Sequence, residues 1–306
     1  MPDWDAVIIG GGPAGLAAGL YLGRGGWRTL LIEKESVGGY IMNVEFIENY
    51  PGYPDGVVGS QLAMEMKNQA LKYGLQTQRG EVNGLQGSPG TKYVSCPDGT
   101  MYSTSAVVVA GGSVPKRLGV PGEDSFMGNG VITCAFCDGG QFAGQVMAVV
   151  GGGDSGVTGA LYMANIASKV ILIEAMPECT ATAILRERAE ASDEIEIRCG
   201  TSIEAMTGND RLEGIDITGP DGNKETLTVD GVLVHVGLDP RTDYLQDVLP
   251  LNDERQIIVN EWMETKVPGI YAAGDIRSGS PGQVSTAVGD GATAAMAAQR
   301  YLQTLS

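Results

Sequence analysis

Cys134 and Cys137, in the run Cys134-Ala135-Phe136-Cys137-Asp138-Gly139, are the residues of this chain best placed for two-electron chemistry. Two residues between cysteines let both sulfurs meet at the start of a helical turn, where the local dipole favours the thiolate and the pair can open and close as a disulfide. A structural zinc site would need four ligands, and the remaining supply, Cys96, Cys179, Cys199 and the single His235, lacks metal-ligand spacing, so no metal is expected. A pair of purely structural thiols is the plainer alternative, and Cys96, Cys179 and Cys199 read as ordinary small residues. On the same plain reading Asp138 is a helix N-cap.

Two glycine-rich turns flank this pair along the chain. Apolar Ala6 to Ile9 runs into Gly10-Gly11-Gly12-Pro13-Ala14-Gly15 and the small-residue stretch Leu16 to Gly23, after which Leu30-Leu31-Ile32 ends in Glu33. Met147 to Val150 repeats the pattern, with Gly151-Gly152-Gly153-Asp154-Ser155-Gly156 opening a second helical stretch and Val170-Ile171-Leu172-Ile173 ending in Glu174. Each acid lies 23 residues past the first glycine of its turn. The pattern predicts strand, tight turn, helix, strand, acid. Gly10, Gly12 and Gly15 permit the turn and close approach to a pyrophosphate, the helix N-terminus supplies unpaired N–H groups, and the acid accepts ribose hydroxyls. Gly151, Gly153 and Gly156 do the same in the second copy, beside Asp154 and Ser155. A dithiol between two dinucleotide-sized sites reads as an enzyme moving electrons from a nucleotide or flavin to a disulfide.

The supports for these groups follow from pattern. The 306 residues hold two domains of ordinary size, and the 46 glycines sit at turns between apolar runs rather than in a low-complexity tract. We expect an α/β fold of two Rossmann-like, three-layer nucleotide-binding domains, the second inserted into the first. Residues 1–114 and 241–306 form a discontinuous first domain, and 115–240 the second, which carries the cysteine pair. The first includes a helical stretch near Gln61 to Tyr73 and a strand ending Val107-Val108-Val109. Pro115 and Pro121 mark a crossover, Gly231 to Gly237 and Pro240 close the second domain, and the tail returns with a strand ending Gly274-Asp275 and an alanine-rich helix from Gln283 to Leu302. The net charge of −17 argues against nucleic acid or an anionic membrane as partner. No basic leader precedes the first strand and no apolar run reaches membrane-spanning length, so a cytosolic location is expected.

The N-terminal glycine turn with Glu33, Glu48-Asn49-Tyr50-Pro51-Gly52, the Cys134/Cys137/Asp138 run, the second glycine turn and Ala272-Ala273-Gly274-Asp275 together resemble the low-molecular-weight thioredoxin reductase family, class II pyridine nucleotide-disulfide oxidoreductase-like flavoproteins. They are also similar to the flavin-binding part of the alkyl hydroperoxide reductase flavoprotein subunit. The resemblance covers nearly the whole chain. It implies FAD in the first domain, with Gly10, Gly12, Pro13, Ala14, Gly15 and Glu33 at its ADP half. Gly39, Tyr40, Asn49, Gly111, Gly274 and Asp275 would contact the rest, and Gln283 and Val284 would lie near the isoalloxazine ring. It implies further that Cys137 faces the flavin, that Cys134 attacks the disulfide of a separate thioredoxin-like partner, that Asp138 gives and takes protons, and that the chain is a homodimer. A dithiol serving both a buried flavin and a large protein implies a hinge, with candidates near Pro115 and Pro240. The family's usual Arg-Gln before the last helix is Gly282-Gln283 here, and its usual Gly-Gly-Gln is Gly38-Gly39-Tyr40.

The second site departs further. NADPH-dependent relatives follow the second strand with a His-Arg-Arg run and another Arg, whereas here Glu174-Ala175-Met176-Pro177-Glu178-Cys179 carries no cation. A carboxylate facing a 2′-phosphate at ~4 Å costs on the order of 4 kcal/mol per charge pair near a protein surface, roughly a thousandfold in affinity. NADPH is therefore disfavoured. Three donors stay open: NADH on Glu174; another adenine dinucleotide in the second site, such as a second FAD; or a vestigial site in a flavoprotein reduced by ferredoxin. A redox-sensing binding module without enzymatic turnover is the remaining alternative, and it would not need the cysteine pair.

Overall fold

The computed structural model describes residues 2–87 and 90–305, and their contacts divide the chain into two compact units, Met1–Val114 with Asp239–Ser306 and Pro115–Leu238. Alternation at period two builds the first unit. In β1 (Trp4–Ile9), Ala6 and Ile8 enter one core and Val7 and Ile9 the other, all four buried. Sheets buried on both faces in this way are the mark of three-layer α/β structure. Helix α1 (Pro13–Arg24) follows at once, with proline at its first position where a missing N–H costs nothing. Strand β2 (Thr29–Glu33) lies parallel to β1, and after α2 (Gly59–Lys72) β3 (Gln76–Arg79) lies parallel to β2. Strands β4 (Gly84–Gly87), β5 (Lys92–Ser95) and β6 (Met101–Val109) form an antiparallel run that brings β6 back beside β1 in parallel.

The chain leaves through β7 (Ser113–Pro115) and builds the second unit on a five-stranded parallel sheet. Its elements are β8 (Val131–Ile132), α3 (Ala135–Asp138), β9 (Val146–Val150), α4 (Asp154–Ala164), β10 (Lys169–Glu174), α5 (Ala183–Glu190) and β11 (Ile195–Cys199). The antiparallel trio β12 (Ser202–Gly208), β13 (Leu212–Thr218) and β14 (Lys224–Thr228) and the parallel strand β15 (Gly231–Val234) complete it. Met147 and Val149 of β9 pack with α4, while Ala148 and Val150 pack against β12 and β13, so this sheet too is covered on both faces.

The chain returns through β16 (Leu238–Pro240), which pairs with β7. It then adds β17 (Ile270–Ala272), parallel to the end of β6, and α6 (Val284–Gln303). Helices α1 and α6 cross closely because both are rich in small residues: a Cβ on Gly291 would fall 2.1 Å from the carbonyl oxygen of Ala14. Among the described residues no helix is long and apolar enough to cross a membrane.

Candidate active site

The first turn is a cage of backbone. Gly10 has φ +103°, and a Cβ there would lie 2.2 Å from the carbonyl oxygen of Ala110 at the end of β6; a Cβ on Gly15 would lie 2.0 Å from the oxygen of Gly10. Gly39, with φ +65°, backs onto Gly12, where a side chain would come within 2.7 Å of the Gly12 Cα. Gly12 itself, the N-cap of α1, has no side-chain capping bond, and the nearest atom to a Cβ on it is 3.9 Å away. The N–H groups of the first turn of α1 therefore face an open side, which suits an anion. Glu33 closes the cage: Oε2 accepts from Gly11 N–H at 2.7 Å and Oε1 from Glu35 N–H at 2.9 Å.

The other residues expected at this site collect around it. Gly111 sits beside Gly10, within 2.8 Å of where its Cβ would be, and Gly274 beside Ala14 at 3.1 Å. Tyr40 is in the short turn Gly39–Asn43, 41 % exposed. Asn49 donates through Nδ2 to Gln283 Oε1 at 3.0 Å, which anchors the N-cap of α6, the residue just before Val284. Asp275 follows β17, and burial pushes its carboxyl above the ordinary range.

The second turn repeats the first. Gly151 has φ +114°, with a Cβ there 2.1 Å from the carbonyl oxygen of His235, and a Cβ on Gly156 would fall 1.7 Å from the oxygen of Gly151. Gly153 caps α4 without a side-chain bond, and Asp154 Oδ1 accepts from Thr182 N–H at 2.7 Å. Glu174 Oε2 accepts from Gly152 N–H at 2.5 Å and Oε1 from Met176 N–H at 2.8 Å.

Cys134 and Cys137 are joined in a disulfide, and Cys134 is the N-cap of α3, its Sγ accepting from Cys137 N–H at 3.0 Å. The capping position expected for Asp138 is thus filled by sulfur. Asp138 heads only the following short turn and makes no side-chain capping bond there.

Residues 4–291 match the family described as pyridine nucleotide-disulphide oxidoreductase. A thioredoxin reductase of Listeria monocytogenes is 36 % identical over 308 residues, covering 99 % of this chain and 95 % of that protein. A bifunctional thioredoxin reductase/thioredoxin of Mycobacterium leprae is 35 % identical over 300 residues, covering 97 % of this chain and 66 % of that one. The crystal structure of Lactococcus lactis thioredoxin reductase in its FR conformation superposes with a TM-score of 0.96 at 33 % identity, over 99 % of this chain and 100 % of that chain. The chain belongs to the thioredoxin reductase family.

Members of the thioredoxin reductase family are flavin-dependent oxidoreductases, and the family implies FAD and a pyridine nucleotide. The first cage fits such a group: an uncapped helix start with room in front of Gly12, and positions at Gly10, Gly15 and Gly39 where only glycine lets the turn fold tightly against its own backbone.

Three features of the site lie outside the motifs. Asp290, 6 % exposed on α6, makes a paired bond with Arg277, Oδ2 to Nε at 2.8 Å and Oδ1 to Nη2 at 2.9 Å, and accepts from Gly274 N–H at 3.1 Å. It ties α6 to the loop that carries Asp275. A lone acid inside an alanine and glycine helix face is a signal that could have found it. His235 places Nδ1 2.9 Å from the Ser155 carbonyl and Nε2 3.2 Å from the Thr133 carbonyl, linking the second turn to the residue before Cys134. Finally, Cys179 and Cys199, 20 residues apart, lie with their sulfurs 3.8 Å from each other. Sequence spacing gives no hint of that pairing, because it depends on the register of β10 with β11.

Proposed function

We propose that the chain is an FAD-dependent disulfide reductase of thioredoxin reductase type, which takes two electrons from NADH rather than NADPH and delivers them through Cys134 and Cys137 to the disulfide of a separate thioredoxin-like protein. The observation that carries this reading is the Cys134–Cys137 disulfide whose first sulfur already accepts a backbone N–H. That bond becomes charge-assisted when Cys134 is a thiolate, which favours Cys134 as the nucleophile. FAD, held at the first turn, would supply the two-electron chemistry that connects a dinucleotide to a disulfide. Two electrons and two protons open the Cys134–Cys137 bond to two thiols. Cys134 then attacks one sulfur of the partner's disulfide, the partner's other sulfur leaves as a thiol, and Cys137 resolves the mixed disulfide, so the bond of Cys134 with Cys137 is restored and the partner leaves with two thiols. Asp138, exposed beside Cys137, is the residue proposed to pass the protons. The name of the Mycobacterium leprae relative, reductase and thioredoxin in one protein, supports a thioredoxin-like acceptor. A homodimer in the cytosol completes the proposal.

The donor reading rests on Glu174. Two backbone N–H groups hold its carboxylate at the turn, and each oxygen keeps a lone pair for a ribose hydroxyl. The stretch from Ala175 to Cys179 has no Lys or Arg to meet a 2′-phosphate. Anaerobic mixing with NADH, NADPH and reduced ferredoxin, following flavin bleaching, tests it: NADH bleaches fastest, and faster bleaching by NADPH refutes the role given to Glu174. Bleaching by ferredoxin alone replaces the donor. A second reading is favoured by the likeness of the two cages, in which Glu33 and Glu174 accept the same pair of backbone donors. On that reading the second turn holds another FAD, and a flavin count near two per chain selects it.

A further inference from the structure

Cys199 ends β11, directly across the parallel register from Glu174, and Cys179 lies in the loop that leaves Glu174. Their sulfurs share a hydrogen bond at 3.8 Å. The Cys179 sulfur also packs under the second turn: a Cβ on Gly152 would fall 2.8 Å from it and 2.8 Å from Glu174 Oε2. The same loop holds the turn through Ala181 N–H, which donates to the Gly152 carbonyl at 2.9 Å. Both cysteines line a cavity of about 240 Å³ together with Arg186, whose Nε has no hydrogen-bond partner. Burial first, and then the hydrogen bond and charge of Cys199, push the Cys179 thiol up to about 12, while the Arg186 charge pulls the other way.

We propose that Cys179 and Cys199 are a second reversible disulfide couple, separate from Cys134–Cys137, whose closure loosens nucleotide binding at the second turn. The coupling rests on the reading of that turn as a dinucleotide site. The oxidant is a low-molecular-weight disulfide. One of the two cysteines, as its thiolate, attacks one sulfur of that disulfide, the S–S bond breaks and one thiol leaves; the other cysteine attacks the mixed disulfide and a second thiol leaves. Two protein thiols are oxidised, one small disulfide is reduced, and the two thiol protons pass to the two leaving sulfurs. A disulfide of about 2.05 Å requires the two sulfurs to close by about 1.8 Å, and the cavity gives them room. Closure draws Cys179 from beneath Gly152 and pulls on the Ala181 bond to the same residue.

The test uses the full-length holoenzyme, either reduced with a phosphine or treated with oxidised glutathione, then alkylated, digested and weighed. A linked peptide pair containing Cys179 and Cys199, two mass units lighter than the two reduced peptides together, is expected only after oxidation. Calorimetric titration with NAD+, which leaves the flavin oxidised, is expected to show at least threefold weaker binding in the oxidised protein. Cys199→Ser and, independently, Cys179→Ser should abolish both the linked peptide and the oxidant-dependent change while keeping the Cys134–Cys137 bond, so that changes at the first couple are subtracted. Absence of the linked peptide overturns the couple, and a linked peptide with unchanged affinity overturns the coupling. Binding of NAD+ in neither state overturns the dinucleotide reading instead, and the linked peptide still decides whether the couple exists.

Discussion

The two units carry the same five parallel strands in the same order, β3-β2-β1-β6-β17 in one and β11-β10-β9-β15-β8 in the other. In each, the first glycine of the turn touches the carbonyl at the end of the fourth strand of that order, Ala110 for Gly10 and His235 for Gly151. In each, an acid accepts from the second glycine of the turn and from the residue two past the acid itself, Glu35 for Glu33 and Met176 for Glu174. The units diverge at the fifth strand. Past β17 come Gly274, the half-buried acid Asp275 and the Asp290–Arg277 pair; past β8 come Thr133, Cys134 and Cys137. On the proposed function, the turn would hold an adenine dinucleotide in each unit, and the end of the fifth strand would set what happens to it. A fixed acid and polar network suit a bound prosthetic group, and a disulfide suits a relay.

The sharpest break of this comparison is Cys137→Ser. It should lower disulfide turnover by about a thousandfold or more, the scale on which loss of a covalent participant is felt, while flavin content and bleaching by the donor stay near the parent's. Unchanged turnover would remove the fifth-strand distinction altogether. Next in size are Gly10→Ala and Gly151→Ala, each placing a methyl group about 2 Å from a carbonyl at positive φ. The first should yield protein with little flavin, and the second should keep flavin but lose its response to dinucleotide by about a hundredfold, roughly 2.7 kcal/mol. Equal loss of flavin from both would favour a second FAD. Glu174→Arg should then shift the NADH/NADPH preference toward NADPH by about tenfold to a hundredfold, read as a ratio of bleaching rates.

The two turns and their acids were legible in the sequence because a strand, a tight turn and a helix leave periodic apolar runs around fixed glycines, and with them came the α/β fold class. The likeness of the fifth strands was not. One, β8, has two residues and opens its unit, and the other, β17, has three and arrives after the chain has returned, so neither carries a periodic signal and the two stand at opposite ends of their units. The cap at Cys134 leaves no mark in the sequence because a cysteine sulfur is a weak acceptor, and only the extended backbone at Cys134 shows that it takes the Cys137 N–H. Cys179 and Cys199 read as small residues because their meeting depends on strand register. The Asp290–Arg277 pair joins residues 13 apart across a loop and a helix turn, a distance no local pattern spans.

The smallest expected effect bears on the acid that distinguishes the first unit. Burial raises the Asp275 carboxyl, and the charge of Asp290 adds to it, against a hydrogen bond from Ser280 and the charge of Arg277. A folded state that holds this proton more tightly than the unfolded chain is favoured by it at low pH, and loses that contribution as pH rises through the elevated folded value. Asp275→Asn removes the dependence. In flavin-free protein the Tm of the variant relative to the parent should therefore climb as pH rises from the acid side of the ordinary carboxylate range towards neutrality, by about 1 °C or less, because ~1 kcal/mol moves Tm by only about 1.5 °C in a chain of this size. A difference that stays level, or falls, would mean that Ser280 and Arg277 outweigh burial and that Asp275 stands ionised at the end of β17. The contrast between the units would then rest on the Asp290–Arg277 pair alone, without a raised carboxyl at the end of β17.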